Sequence, residues 1–180
     1  QPSAIPVSRW PALPENLARG QGAVCLVRGR VKALMPLPAN VSPQAGEALD
    51  AEGWLLLLPQ DPDASAGALR QRLESASGAR LGVLIIDSHG RAWRRGTVGV
   101  AIGLSGLPGL VDLRGEPDLF GYRLRITQVG AADELAAAAS LVMGQAAEST
   151  PVVHVRGFPY SLREAGLGEL LRPRDQDMFR

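Results

Sequence analysis

The feature that most constrains this chain is an apolar run that stops abruptly at polar residues. Residues 83–86 read Val-Leu-Ile-Ile, which is typical of a strand buried on both faces. Asp87 and Ser88 follow directly, and a turn is predicted at His89 and Gly90. We therefore expect a carboxylate and a hydroxyl at the C-terminal end of one buried strand, where the chain reverses.

The side chains around this turn suit a cation and a phosphate. The Asp87 carboxylate and the Ser88 hydroxyl are oxygen ligands of the kind that Mg²⁺ and Mn²⁺ prefer. Arg91 and Arg94 carry planar guanidinium groups that match phosphate or carboxylate oxygens. Trp93 can stack on a base or on another planar ring of a ligand, but we expect it to pack against the motif. For any single residue a structural role is the simpler explanation, whereas the whole cluster favours a binding site.

Residues 86–96, IDSHGRAWRRG, resemble the central motif of the coenzyme F420-0:L-glutamate ligases, and the agreement runs from about residue 53 to residue 180. Further motifs follow in the family order: LPQDPDASA at 58–66, VAIG at 100–103, GLP at 106–108, DLRG at 112–115, DLFG at 118–121, ADELA at 132–136, MGQA at 143–146, VRG at 155–157, ELLRP at 169–173 and DMFR at 177–180. So many separate motifs in one order make a chance match very improbable.

This resemblance implies an α+β fold of mixed sheets with packed helices. It implies a cytoplasmic enzyme that adds L-glutamate to a deazaflavin precursor, F420-0, through an acyl phosphate formed with GTP. It also implies Mg²⁺ or Mn²⁺, with K⁺ as a further candidate cation, and a homodimer. The implied metal ligands are Asp87, Ser88 and Gln145, and the residues implied for nucleotide, phosphate or substrate are Arg91, Arg94, Gly144 and Asn40. The resemblance assigns no catalytic residue.

The chain departs from the family pattern at two places. The family's N-terminal lobe, with its lysine-bearing strand, has no counterpart in these 180 residues. The family segment that carries a metal-binding aspartate and a nucleotide-binding asparagine corresponds to residues 33–42, where Ala39 replaces the aspartate and Asn40 is a shifted substitute. A second hypothesis follows from these departures: a non-catalytic ligase-like subunit or binding domain that needs a partner chain.

Composition excludes several classes of function. The formal net charge is +1 and Lys32 is the only lysine, so we expect no nucleic-acid binding. No apolar run approaches the roughly 20 residues that span a bilayer, so no membrane segment is expected. The single cysteine, Cys25, cannot form an internal disulfide and fits a reducing compartment such as the cytoplasm.

The residue pattern predicts an N-terminal arm over 1–22 and a ligase-like domain over 23–180. Expected strands are 23–34 (a strand or a hairpin), 54–58, 82–86, 97–102, 124–129 and 152–155, with a loop over 36–53. Expected helices are 64–75, capped by Asp61 or Asp63 with Leu69 and Leu73 inward, and 130–146, where Asp133 and Glu134 are expected to be structural. His154 is likewise expected to be structural. The apolar residues that would cover a dimer interface are Leu13, Leu17, Met35, Leu37 and Val41.

Overall fold

The computed structural model describes residues 23–27, 31–36, 54–148 and 150–177, with side chains from residue 58 onward. Asn40, the predicted arm 1–22 and nearly all of the predicted loop 36–53 lie outside the described residues. So do the side chains expected to cover a dimer interface. In the part of the chain that is described, no helix is both long enough and apolar enough to cross a bilayer.

Among the described residues, the central sheet has four strands: β1 (Ala23–Val27), β4 (Leu81–Arg91), β5 (Arg94–Ser105) and β8 (Val152–Val155). Their order is β5-β4-β1-β8. β1 runs parallel to β4, whereas the β4–β5 and β1–β8 pairs are antiparallel. The mixed sheet and its helices confirm the predicted α+β class, and the strand predicted at 152–155 is confirmed at the same bounds.

Within the described ranges, two smaller sheets accompany the central one. β2 (Val31–Pro36) pairs with β3 (Trp54–Leu57), and β6 (Val111–Asp112) pairs with β7 (Gln128–Val129). Because β1 and β2 belong to different sheets, residues 23–34 form two separate strands and not a hairpin. The prediction of a strand over 124–129 is wrong except for its last two residues, because residues 124–127 lie in a loop.

Two helices of the described part of the chain cover the central sheet. α1 (Pro62–Ser77) begins where the Asp61 carboxylate accepts a hydrogen bond from the Ala64 amide at 2.9 Å. It ends at Gly78, whose φ of 67° suits glycine. α2 (Ala131–Met143) is alanine-rich, and Gly130 and Gly144 flank it. Both predicted helices are confirmed, with Asp61 as the cap of the first.

The side chains of β4 alternate between two apolar clusters, one on each face of the sheet. Leu84 and Ile86 pack against α2, and Val83 and Ile85 pack against α1. The α1 cluster also contains Ala66, Leu73, Leu81 and Ile102, with Leu69 at its edge. The α2 cluster also contains Ala101, Leu104, Leu107, Ala132, Leu135, Ala136, Ala139, Met143 and Val153. The same alternation determines whether a polar residue further along β4 lies on the α1 face or on the α2 face of the sheet.

β4 and β5 form one long hairpin that continues beyond the helices. His89 is paired with Val98 and Arg91 with Arg94, so the chain reverses at Ala92 and Trp93. The turn predicted at His89 and Gly90 is therefore wrong, because the ladder of backbone hydrogen bonds carries the strand past the glycine. Trp93 adopts a φ of 63°, a left-handed conformation that is uncommon for a bulky residue.

Candidate functional site

Two of the predicted ligands, Ser88 and Gln145, meet on the α2 face of the hairpin. Ser88 lies on β4 just beyond the buried run, and Gln145 follows the glycine that ends α2. The Ser88 hydroxyl donates a hydrogen bond to Oε1 of Gln145, with an Oγ–Oε1 distance of 2.6 Å. The structure therefore joins the central motif to the loop after α2, two segments 57 residues apart in the sequence.

Two residues that sequence reasoning missed complete this arrangement. Nε2 of Gln145 donates a hydrogen bond to Oγ of Ser140, on the last turn of α2, at 2.9 Å. Ser140 in turn lies against Gly99 of β5, where an added Cβ would stand only 2.6 Å from the Ser140 Cβ. Gly99 is the direct cross-strand neighbour of Ser88. We call Ser88, Gly99, Ser140 and Gln145 the serine–glutamine ring.

Asp87 does not join this ring. Its cross-strand neighbour is Val100, which packs against the α1 cluster, whereas the neighbour of Ser88 faces α2. Because successive side chains of a strand point to opposite faces, Asp87 lies on the α1 face of the hairpin, half-buried. The expected convergence of carboxylate and hydroxyl at one strand end is therefore wrong. Because Asp87 and Ser88 are consecutive residues of one strand, their side chains lie on opposite faces of the hairpin.

The cationic residues lie still further along the hairpin. Arg91 and Arg94 flank its turn and are both exposed, beyond the part of the sheet that the helices cover. Trp93, between them, is 94% exposed, so the expectation that it packs against the motif is wrong. His89 is also exposed and belongs to the ladder, not to a turn. The hairpin end therefore presents an aromatic ring and permanent positive charge to solvent, which suits anionic ligands.

Gly144 forms the junction between α2 and the ligand-bearing loop. Its φ is 70°, which favours glycine, and its amide donates to the Ser140 carbonyl at 3.1 Å. A side chain at this position would also collide with Glu148, whose carboxylate accepts a hydrogen bond from the Ala146 amide at 2.7 Å. The glycine thus allows the chain to reverse tightly, which brings Gln145 back toward β4.

The ring offers a divalent cation two adjacent oxygen ligands. In an octahedral shell with metal–oxygen distances of about 2.1 Å, neighbouring ligands lie about 3 Å apart. The 2.6 Å between Ser88 Oγ and Gln145 Oε1 is close to that separation. Hydroxyl and amide oxygens match Mg²⁺ and Mn²⁺ in hardness, so the pair fits such an ion. Among the described residues, however, no group of three or more His, Cys, Asp or Glu side chains is placed to hold a metal.

Other acidic residues of the motifs serve the fold. Asp133, in the first turn of α2, accepts a hydrogen bond from the Ala101 amide of β5 at 2.9 Å, which confirms its structural role. The Asp112 carboxylate accepts from the Arg114 amide at 3.0 Å and also pairs with its guanidinium. This pairing lowers the pKa of Asp112 to about 2. These carboxylates are occupied by protein donors and are poor candidates for ligand binding.

The Arg163–Glu169 pair fixes the loop before β6. Arg163 donates to the Glu169 carboxylate at 2.8 Å and to the Leu110 carbonyl at 3.1 Å. The same carboxylate accepts from the Gly109 and Leu110 amides at 3.1 and 3.2 Å. Hydrogen bonding to Arg163 is the main cause that lowers the pKa of Glu169. This pair therefore ties the C-terminal segment to the sheet and is not a free acid or base.

The chain resembles known proteins over the segments that form this site. The F420-0:Gamma-glutamyl ligase family model matches residues 35–157, which include the whole serine–glutamine ring. The chain is 51% identical over 131 residues to the coenzyme F420:L-glutamate ligase of Methanothermobacter thermautotrophicus, covering 72% of this chain and 52% of that protein.

Two further relatives carry the same name. The protein of Methanococcus maripaludis strain C6 is 50% identical over 123 residues, 68% of this chain and 50% of the relative. The protein of Archaeoglobus fulgidus is 44% identical over 145 residues, 78% of this chain and 57% of the relative. The chain thus spans about half the length of the curated relatives it matches.

Proposed function

This chain belongs to the F420-0:gamma-glutamyl ligase family, and we propose that it acts in the ligation of L-glutamate to the deazaflavin precursor F420-0. The relatives are named for that activity, and the family model matches the residues that build the ring and the hairpin. The observation that carries the proposal is the meeting of Ser88 and Gln145. These residues come from two separate family motifs, and they place two hard oxygens side by side.

The proposed reaction has two steps. The γ-phosphoryl group of GTP passes to the terminal carboxylate of the precursor, and GDP leaves. The amine of L-glutamate then attacks the acyl carbon, an amide bond forms, and phosphate leaves as the amine loses a proton to solvent. A bound Mg²⁺ or Mn²⁺ ion supplies charge neutralisation for the transferred phosphoryl group.

The residues of this chain have distinct parts in that scheme. Ser88 and Gln145 would hold the divalent cation through their side-chain oxygens. Asp87, whose carboxylate lies on the opposite face of the hairpin, would hold a second cation and not the ion between Ser88 and Gln145. Arg91 and Arg94 would bind phosphate or carboxylate groups of the substrates, since one guanidinium group can donate two parallel hydrogen bonds to the oxygens of such a group.

Binding of Mn²⁺ and GTP by the 180-residue chain, measured by calorimetry, tests the proposal most directly. We expect Mn²⁺-dependent GTP binding in the micromolar range, and its loss in Asp87→Ala. Asp175→Ala is the matched control, because this exposed aspartate lies in a short helical turn outside the site. Glutamate ligation, followed by mass spectrometry of the deazaflavin product, should be lost with Asp87→Ala while thermal unfolding stays unchanged. Near-normal turnover in that variant would contradict the assignment.

The alternative function, a ligase-like subunit that needs a partner chain, is favoured by a different observation. Within the described ranges the ring and Asp87 lie on opposite faces of one hairpin, and no cluster of three acidic, histidine or cysteine ligands is formed. A partner chain would then have to contribute further ligands. If the isolated chain binds neither Mn²⁺ nor GTP, this alternative replaces the first proposal.

We also propose a homodimer. Several large apolar side chains of the described residues are highly exposed: Trp93, Leu119, Phe120, Ile126 and Leu141 are each at least 87% accessible. Such surface commonly marks an interface, and a two-fold dimer is the commonest closed assembly. Light scattering should give twice the 19.0 kDa of one chain. A monomer at micromolar concentration would contradict the dimer.

A further inference from the structure

We propose that Ser140 is a positioning residue that holds the Gln145 amide in place, with its oxygen facing β4. The inference deepens the proposed function, because it assigns a new residue to the cation site. It rests on the proposed function only for its consequence in metal binding, since the orientation itself can be measured without metal.

The amide of Gln145 has two chemically different ends. Its oxygen accepts hydrogen bonds and binds cations, whereas its NH₂ group only donates and would repel a cation. With a hydrogen bond from Nε2 to Ser140 Oγ at 2.9 Å, the oxygen is at the opposite end of the amide, 2.6 Å from Ser88 Oγ. Ser140 thus holds the nitrogen end of the amide, and the oxygen end faces Ser88 and the cation position.

The position of Ser140 is itself fixed by contacts with the backbone of β5 and of the loop after α2. Gly99 leaves no room between β5 and α2: an added Cβ would lie 2.6 Å from the Ser140 Cβ and 2.8 Å from the Ala136 carbonyl oxygen. The Ser140 carbonyl also accepts the hydrogen bond from Gly144 that ends the helix. The hydroxyl is thus presented from a close helix–strand contact, and a partner fixed in this way orients a ligand at little entropic cost.

The proposal predicts an effect on a neighbouring group without loss of the fold. Alanine has a higher helix propensity than serine, so Ser140→Ala should leave α2 intact. It removes the acceptor of Nε2, so the Gln145 amide is held by one hydrogen bond fewer. Loss of such an outer partner commonly lowers metal affinity by roughly 10- to 100-fold.

Two measurements test the inference on the same set of variants: Ser140→Ala, Gln145→Ala, the double variant, and Ser75→Ala as control. Ser75 is an exposed serine in the last turns of α1, so its replacement reports the helix effect alone. The first measurement is the ¹⁵N spectrum of the side-chain NH₂ groups without metal. The Gln145 resonance, identified by its absence in Gln145→Ala, should shift in Ser140→Ala and stay in place in Ser75→Ala.

The second measurement is Mn²⁺ affinity, read from the electron paramagnetic resonance of the free ion. Ser140→Ala should weaken binding at least tenfold, and it should add nothing in the Gln145→Ala background, because both changes remove one interaction. An unshifted Gln145 resonance overturns the inference. So does unchanged Mn²⁺ affinity in Ser140→Ala when Gln145→Ala weakens binding, and the proposed function then survives. If the resonance shifts but the parent chain binds no Mn²⁺, the orienting role stands and the cation site fails.

Discussion

Replacing Gly99 with alanine should disturb both the stability of the sheet and the geometry of the serine–glutamine ring. The new Cβ would lie 2.6 Å from the Ser140 Cβ and 2.8 Å from the Ala136 carbonyl oxygen. Since carbon atoms pack at about 3.5–4.0 Å, α2 must move away from β5 by roughly 1 Å. Overpacking of this kind costs about 1–3 kcal/mol of unfolding free energy.

Gly90 provides the matched control, since it lies on the neighbouring strand of the same hairpin and an added Cβ would meet nothing within 4 Å. Gly90→Ala should leave the unfolding free energy unchanged or raise it by up to about 1 kcal/mol, because alanine restricts the unfolded chain. The two substitutions are chemically identical, so their difference isolates the contact with α2.

Urea unfolding and thermal unfolding of the parent and both variants, each followed by circular dichroism, measure this difference. At about 2–4 °C per kcal/mol for a chain of this size, the melting temperature of Gly99→Ala should fall by roughly 2–12 °C. Mn²⁺ affinity should fall with it, because the displaced helix carries Ser140 and the following Gln145 away from Ser88 on β4. The reasoning is refuted if Gly99→Ala matches Gly90→Ala in stability and binds Mn²⁺ like the parent chain.

Two further predictions concern the framework of the site. Asp63→Ala should lower the unfolding free energy by about 1–3 kcal/mol in urea titrations, because its carboxylate accepts from the Leu104 amide at 2.8 Å and the Leu167 amide at 2.9 Å; an unchanged unfolding midpoint would refute this role. Burial, and secondarily the charge of Arg156, lowers the pKa of His154. Its neutral form therefore stabilises the fold above about pH 6.5, and this contribution is lost as pH falls through the lower pKa of the folded state. The parent should lose stability from pH 7.5 to 5.5, and His154→Gln should lose less; equal losses would refute the role of His154.

The sequence was sufficient for the elements whose signals are local. α2 was predictable because an alanine-rich run lies between Gly130 and Gly144. The start of α1 was predictable because Asp61 and Pro62 form a typical N-terminus. The structural role of Asp133 was expected from its place in the first turn of α2, although its actual partner, the Ala101 amide, lies 32 residues away.

The geometry of the site was less predictable, because it depends on how far β4 and β5 extend before the chain turns. Gly90 suggested a turn, yet the ladder continues to Arg91, since the turn formed by Ala92 and Trp93 can only be recognised once the β4–β5 register is known. No sequence pattern indicated Ser140. Its role depends on Gln145, a local neighbour, and on Gly99, which is brought close only by packing of α2 on β5.

Separation of Asp87 from Ser88 has a measurable consequence for cation binding. The ligands of one Mg²⁺ or Mn²⁺ ion lie at most about 4.2 Å apart, twice the metal–oxygen distance, and side chains on opposite faces of a strand diverge. Ser88 and Gln145 satisfy that limit at 2.6 Å, so they should act as one unit. Effects of Ser88→Ala and Gln145→Ala on Mn²⁺ affinity should therefore be non-additive, whereas those of Asp87→Ala and Ser88→Ala should add. If the effects of Asp87→Ala and Ser88→Ala on Mn²⁺ affinity are strongly non-additive, both residues bind the same ion. The hairpin would then have to twist between Asp87 and Ser88.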